Sequence, residues 1–233
     1  MVTLPEITWG PLDGPRALLL HGIVGSAATW WRVANALAAD GWHVTAVDLR
    51  GHGTAPRTDS YAIADYVADL PGSAWDLVLG HSLGGSIAVV AARSAGFTRR
   101  LALLDPVLEI PAEVHDAVKL DQLSELTETL EHVRANRLLW HPLDVEYKIE
   151  AARQADRRAV DKTFEQNRPW SIEPRVSVPT LVIAASTHSM FTALPGATVV
   201  TIDGAGHSPH RDQFDATYAA LTGWLTSGGE SQP

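Results

Sequence analysis

Short aliphatic and β-branched runs alternate along this chain with longer stretches whose apolar positions recur at helical spacing. The runs Ala17–Leu20, His43–Leu49, Asp76–Gly80, Arg100–Leu104, Thr180–Ala185 and Thr198–Ile202 predict strands. Each is a nearly continuous apolar run, the pattern of parallel strands covered on both faces. Between them, Ala27–Ala39, Ala62–Leu70, Gly84–Ser94 and Phe214–Leu225 predict helices, with Ser26 and Asp212 as acceptable N-caps for the first and the last. This alternation predicts an α/β fold, a mostly parallel central sheet flanked by helices.

One segment breaks the rhythm. From Val107 to Arg175 the chain is rich in Glu, Asp, Arg, Leu and Ala, with Leu123, Leu126, Leu130 and Val133 at helical spacing and no comparable strand run. A segment of that length exceeds what one crossover between parallel strands needs. Residues 107–175 are therefore expected to form a helical cap over a core built from 1–106 and 176–225. The polar residues 226–233 are expected to be a disordered tail.

Composition narrows the function classes. At 233 residues with 45% hydrophobic and 19% charged positions, the chain can bury the core of one domain with an insertion. A net charge of -9 without a long basic run argues against nucleic acid and against an anionic membrane surface as partners. The absence of cysteine removes disulfides, thiolate zinc sites and cysteine nucleophiles. Met1 to Gly10 has neither a basic n-region nor an apolar h-region, so it does not read as a signal peptide. The longest apolar run, Ser86 to Ala92, is too short to cross a bilayer. The default expectation is a soluble cytoplasmic protein, with the oligomeric state left open.

The chemistry concentrates at Gly80-His81-Ser82-Leu83-Gly84-Gly85, between a predicted strand and a run of small apolar helix residues. This is G-x-S-x-G in strand–turn–helix context, in which a serine hydroxyl projects above a sheet from a very tight turn. Such a turn strains the serine backbone by roughly 1–3 kcal/mol. It also crowds two neighbouring positions so closely that only hydrogen fits, and Gly80 and Gly84 supply them. A glycine-rich turn without catalysis is the plain alternative.

Three further motifs follow the same order as in a known superfamily. They are Leu20-His21-Gly22-Ile23, Asp48-Leu49-Arg50-Gly51-His52-Gly53, and Gly204-Ala205-Gly206-His207-Ser208-Pro209-His210. With the serine turn, they make the chain resemble the α/β-hydrolase superfamily from Leu18 to Leu225. The resemblance implies Ser82 as nucleophile and His207, last in chain order, as general base, with His210 as the nearest rival among ten histidines. It assigns the oxyanion donors to the backbone N–H groups of Ile23 and Leu83. His21 reads as a loop-shaping residue, and His52 and His81 as structural or supporting groups.

The acid departs from the commoner pattern. Most members of the superfamily carry an aspartate after the strand occupied here by Thr180–Ala185, but Ser186-Thr187-His188-Ser189-Met190-Phe191 contains no carboxylate. A minority, including haloalkane dehalogenases, place the acid one strand earlier, and there the chain has Asp105-Pro106. A carboxylate at the C-terminal end of a parallel strand faces the crevice, so Asp105 is the expected acid. Its plain reading is a strand-end cap, and Glu109 or a dyad without acid remain open; Asp203 is near His207 in sequence, but that proximity does not itself give the needed geometry. Dehalogenase chemistry itself is disfavoured, because it needs an aspartate where Ser82 stands.

Trp30, Leu108, Trp140 and Met190, together with Leu138, Leu139 and Phe164, are candidate lining residues of a largely apolar pocket. That pocket suits a small or medium hydrophobic carboxylic ester as a small-molecule substrate. Carbon–carbon, amide, thioester or lactone cleavage at the same site, or a ligand-binding or lyase role without acyl turnover, are the alternatives. No cofactor and no metal are implied, because backbone amides polarise the substrate.

Overall fold

Successive side chains of a strand point to opposite faces of its sheet, so a strand apolar at every position must be covered twice. The computed structural model describes residues 1–72 and 74–228. Strand β1 (Glu6–Trp9) comes first, then β2 (Arg16–Leu20), a 3₁₀ turn at Ala27–Trp30 and helix α1 (Trp31–Ala39). Strand β3 (His43–Val47), helix α2 (Ile63–Asp69), strand β4 (Leu77–His81), helix α3 (Leu83–Ala91) and strand β5 (Leu101–Leu104) follow. Next come the two-residue strand β6 (Glu109–Ile110), helices α4 (His115–Glu125), α5 (Leu130–Asn136), α6 (Pro142–Gln154) and α7 (Arg157–Gln166), and β7 (Trp170–Ser171). Strands β8 (Thr180–Ala185) and β9 (Thr198–Ile202) and helices α8 (Pro209–Asp212) and α9 (Phe214–Thr226) complete the described chain.

Seven strands form one sheet in the order β1-β3-β2-β4-β5-β8-β9, parallel throughout except for β1. Leu18, Leu20, Val78, Leu101, Leu103 and Val182 pack on one face against Leu83 and Ile87 of α3. Their alternates Ala17, Leu19, Leu77, Leu79, Ala102 and Ile183 pack on the other against Val33 and Leu37 of α1 and Leu221 and Trp224 of α9. Adjacent β2 and β4 send their next connections in opposite directions, to β3 and to β5. That reversal of strand order opens a crevice at their C-terminal ends, the usual ligand site of such sheets.

Several expectations are corrected. Strand β1 has no apolar run to betray it: Glu6, Ile7 and Thr8 are exposed, and only pairing with β3 defines it. Strand β9 lies at an edge, so Val199 and Thr201 face solvent rather than a second layer. The helix expected from Ala27 is split by the 3₁₀ turn, and Ser26 makes no side-chain cap. Asp212 ends α8 instead of capping α9, its carboxylate accepting from Gly206 N and Trp140 Nε1. Residues 107–175 are helical, but an antiparallel ribbon of β6 and β7 ties the two ends of the excursion together. Of the expected tail, Thr226 belongs to α9, and residues 229–233 lie outside the described residues.

The turn between β4 and α3 is where the packing is tightest. A Cβ on Gly84 would sit 2.1 Å from the Leu20 carbonyl oxygen, and one on Gly80 would sit 2.4 Å from that of Gly84. Both obstacles are main chain, which cannot swing aside. Gly84→Ala is therefore expected to lower the unfolding free energy by about 1–3 kcal/mol or more. Gly223, exposed in α9 with open space around it, is the opposite case. Gly223→Ala is expected to raise stability by about 0.5–1 kcal/mol. Urea denaturation of the two variants reads both signs.

Candidate active site

Ser82 sits at the apex of that turn with φ 51 and ψ -115, a region costly for any side chain. Its N–H donates to the Leu104 carbonyl (3.2 Å), and its carbonyl accepts from Gly85 N (2.9 Å) and Ser86 N (3.1 Å). The main chain is thus held on both sides of the strained residue, and the hydroxyl is left to face the crevice.

His207 arrives on the loop between β9 and α8. Its Nε2 lies 2.9 Å from Ser82 Oγ, and its Nδ1 lies 2.6 Å from Asp105 Oδ2. The loop is pinned by two bonds. His81 Nε2 donates to the His207 carbonyl (2.7 Å), and Gly206 N donates to the Asp212 carboxylate (2.9 Å). His81 serves as an anchor here because burial, followed by the nearby His207 and Arg211, pushes its pKa well below the ordinary range. A neutral ring has one N–H to give, and it goes to that carbonyl.

Asp105 directly follows β5 with φ 41 and is fully buried. Besides His207, its oxygens accept from Met190 N (3.0 Å), Ala185 N (3.2 Å) and the Ser189 hydroxyl. Burial pushes the carboxyl upward, but the His207 bond and charge and the Met190 and Ser189 donors outweigh it and hold the group below its usual range. The rival carboxylates, Glu109 and Asp203, are both exposed. His188 has φ 53 and lines the cavity beside the site.

The loop carrying Ile23 is built by the second histidine motif. His21 donates from Nδ1 to the Gly22 carbonyl (2.7 Å) and accepts at Nε2 from Leu49 N (3.0 Å). Asp48 accepts from Ala27 N (2.8 Å) and Thr54 N (2.9 Å), tying both loops to one carboxylate. Ile23 and Leu83 line the cavity together with Ser82 and His207. Leu83 is the first residue of α3, so its N–H has no acceptor inside the helix. His210, the rival base, is buried and stacked on Trp30 at 5.0 Å between ring centroids.

Two cavities meet at Ser82. The larger, of about 490 Å³, is lined mainly by apolar groups, among them Val107, Ile110, Val118, Phe164, Trp170 and Met190. The smaller, of about 130 Å³, is polar and includes Asp121, Glu125, Arg137, Lys148, Arg211 and Trp140. Of the expected lining residues, Met190 and Phe164 line the first and Trp140 the second. Trp30 and Leu108 do not: Trp30 packs on the far face of the sheet, and Leu108 is buried in the near core. Leu138 and Leu139 are exposed, since both lie in the turn between α5 and α6 rather than on a helix face. Sequence reasoning missed the donors to Asp105 and the whole basic wall. Among the described residues, no group of three or more histidine or acidic side chains is placed to hold a metal, and no helix is long and apolar enough to cross a membrane.

This fold and this arrangement define an α/β-hydrolase. The chain belongs to the alpha/beta hydrolase family, whose model matches residues 17–220. It is 27% identical over 241 residues to a pimeloyl-[acyl-carrier protein] methyl ester esterase of Xanthomonas campestris, covering 89% of this chain and 94% of that one. It is 29% identical over 173 residues to a serine hydrolase-like protein of Dictyostelium discoideum, a match covering 67% of this chain and 48% of that relative, about half its length. Among solved structures, an E-2-(acetamidomethylene)succinate hydrolase superposes with a TM-score of 0.84 at 22% identity, covering 97% of this chain and 96% of that one. An enol-lactonase from Burkholderia xenovorans gives 0.77 at 23%, covering 96% of each.

Of the buried histidines, His21, His52, His81 and His210 are held neutral mainly by burial; His52 is pushed from 6.5 to about 3. Their folded values lie below the unfolded ones, so as pH falls below about 6.5 the unfolded chain takes up protons that the folded chain refuses. Stability is therefore expected to fall with pH across that window, His52 contributing down to about 3. Each such group contributes a slope of up to about 1.4 kcal/mol per pH unit. Urea unfolding at stepped pH checks the direction, and His52→Asn should give a shallower dependence.

Proposed function

We propose that the protein is a serine hydrolase that cleaves a small to medium, largely hydrophobic carboxylic ester through an acyl-enzyme. The observation that carries this reading is the unbroken hydrogen-bonded chain from Ser82 Oγ through His207 to a buried, ionised Asp105. In this scheme Ser82 Oγ attacks the ester carbonyl carbon while its proton passes to His207 Nε2. Asp105 holds the ring by Nδ1 and stabilises the imidazolium. The carbonyl oxygen, now negative, accepts from the N–H groups of Ile23 and Leu83, each worth about 3–4 kcal/mol at the transition state. His207 then gives its proton to the departing alkoxide. Water, deprotonated by the same nitrogen, attacks the acyl-enzyme and releases the acid and Ser82.

An apolar cavity of about 490 Å³ falls in the range of small-molecule sites and supports a hydrophobic substrate portion. Residues 107–175 act in this reading as a cap that selects the substrate, since Ile110, Val118, Phe164 and Trp170 all come from it. The Xanthomonas relative, an esterase by name, supports the ester as the bond cleaved.

An irreversible fluorophosphonate is expected to label the protein stoichiometrically at Ser82, read by mass spectrometry of the peptide. Absence of labelling, or labelling unaffected by Ser82→Ala, would overturn the reading. Asp105→Asn is expected to lower kcat by on the order of 10³–10⁴, because the ring loses its orienting charge. The readout is steady-state turnover of a p-nitrophenyl acyl ester by the folded variant, and near-normal turnover would remove Asp105 from the scheme.

A further inference from the structure

The smaller cavity has a wall that ester hydrolysis does not account for. Arg211, at the third position of α8, is only 7% exposed. Among the described residues its guanidinium makes no hydrogen bond and no ion pair, and its Nε is buried without a partner. The Trp140 ring lies 4.8 Å from its guanidinium carbon, with that of Arg137 at 5.5 Å from the same ring. A buried cation normally has a paired anion or a full set of acceptors.

The surrounding carboxylates are already engaged. Asp212 accepts from the Trp140 indole and Gly206 N, and Asp144 accepts from the Trp31 indole. Glu125 is paired with Lys148. These acids oppose the burial that depresses the Arg211 guanidinium, without bonding to it. The lining holds the cations Arg137, Lys148 and Arg211 against Asp121 and Glu125, an excess of one positive charge beside Ser82.

We propose that this cavity is a carboxylate subsite: the substrate is an ester carrying a free carboxylate, held by Arg211 and Arg137, with its apolar portion in the larger cavity. The planar fork of a guanidinium matches a carboxylate with two parallel hydrogen bonds, and here it lies beside the Trp140 ring. At about 130 Å³ the space exceeds one water, whose share of the liquid is about 30 Å³. The inference rests on the serine-hydrolase reading for the position of the scissile bond.

The test is a binding measurement, so that its failure is distinct from failure of the hydrolase reading, which the fluorophosphonate decides. Calorimetry would titrate Ser82→Ala protein with benzyl hydrogen glutarate and with its neutral counterpart, benzyl glutaramate. The acid is expected to bind at least tenfold more tightly, about 1.4 kcal/mol. The preference should vanish in Ser82→Ala/Arg211→Met and survive in part in Ser82→Ala/Arg211→Lys. Equal affinity for the two compounds, binding of neither, or a preference that outlives loss of Arg211 would overturn the proposal. The first comparison keeps Arg211 in place, so it decides even if the methionine variant does not fold.

Discussion

The contact between Gly84 of α3 and the Leu20 carbonyl at the end of β2 is the constraint from which the rest of the site follows. It lets a helix start within one residue of a strand end, which forces Ser82 to φ 51. A strain of roughly 1–3 kcal/mol persists only where the surroundings over-determine it. Here the main chain on either side is hydrogen-bonded, and Ser86 Oγ reaches the Val107 carbonyl across the next connection. The same contact fixes where the loop after β2 departs, so the hydroxyl and the Ile23 backbone are placed by one piece of packing. Gly22 completes the fit, since a Cβ there would lie 2.8 Å from His81 Nδ1 and 3.1 Å from Ser82 Cβ.

Asp105 supplies the second fixed point. A buried carboxylate is stable only with its lone pairs satisfied. Ala185 N, Met190 N and the Ser189 hydroxyl, all from the end of β8 and the segment beyond, supply those donors. The segment where the resemblance implies an acid is used here to solvate one.

Much of this was legible in the sequence, for identifiable reasons. Strands β8 and β9 were readable to the residue, because aliphatic runs bounded by turn residues leave little freedom. The serine turn was readable because its glycines have no substitute. The Asp105–His207 contact was expected from resemblance to the minority that places the acid one strand earlier, together with a carboxylate's place at the end of a parallel strand. What escaped depends on partners distant in sequence: β1 exists through its pairing with β3, and the donors to Asp105 lie 80 to 85 residues from it. The misplacement of Trp30 has the same origin, since an apolar ring before a helix gives no sign of which sheet face it will meet.

On the proposed reading, chemistry and selectivity are carried by different parts of the chain, and α4 joins them. Ala117 and Val118 line the apolar cavity, Asp121 and Gln122 line both, and Glu125 lines only the polar one. Steps of three and four residues keep these positions on one helix face, so the face grades from apolar to charged along its length. A substrate lying across Ser82 would meet the same gradient, its oily end toward Phe164 and Trp170 and its polar end toward Arg211. Arg211 itself belongs to α8, directly after the loop that carries His207. On the proposed reading, a group bound there is held by the helix whose Asp212 also pins the His207 loop through Gly206 N, so binding and proton transfer would share one support.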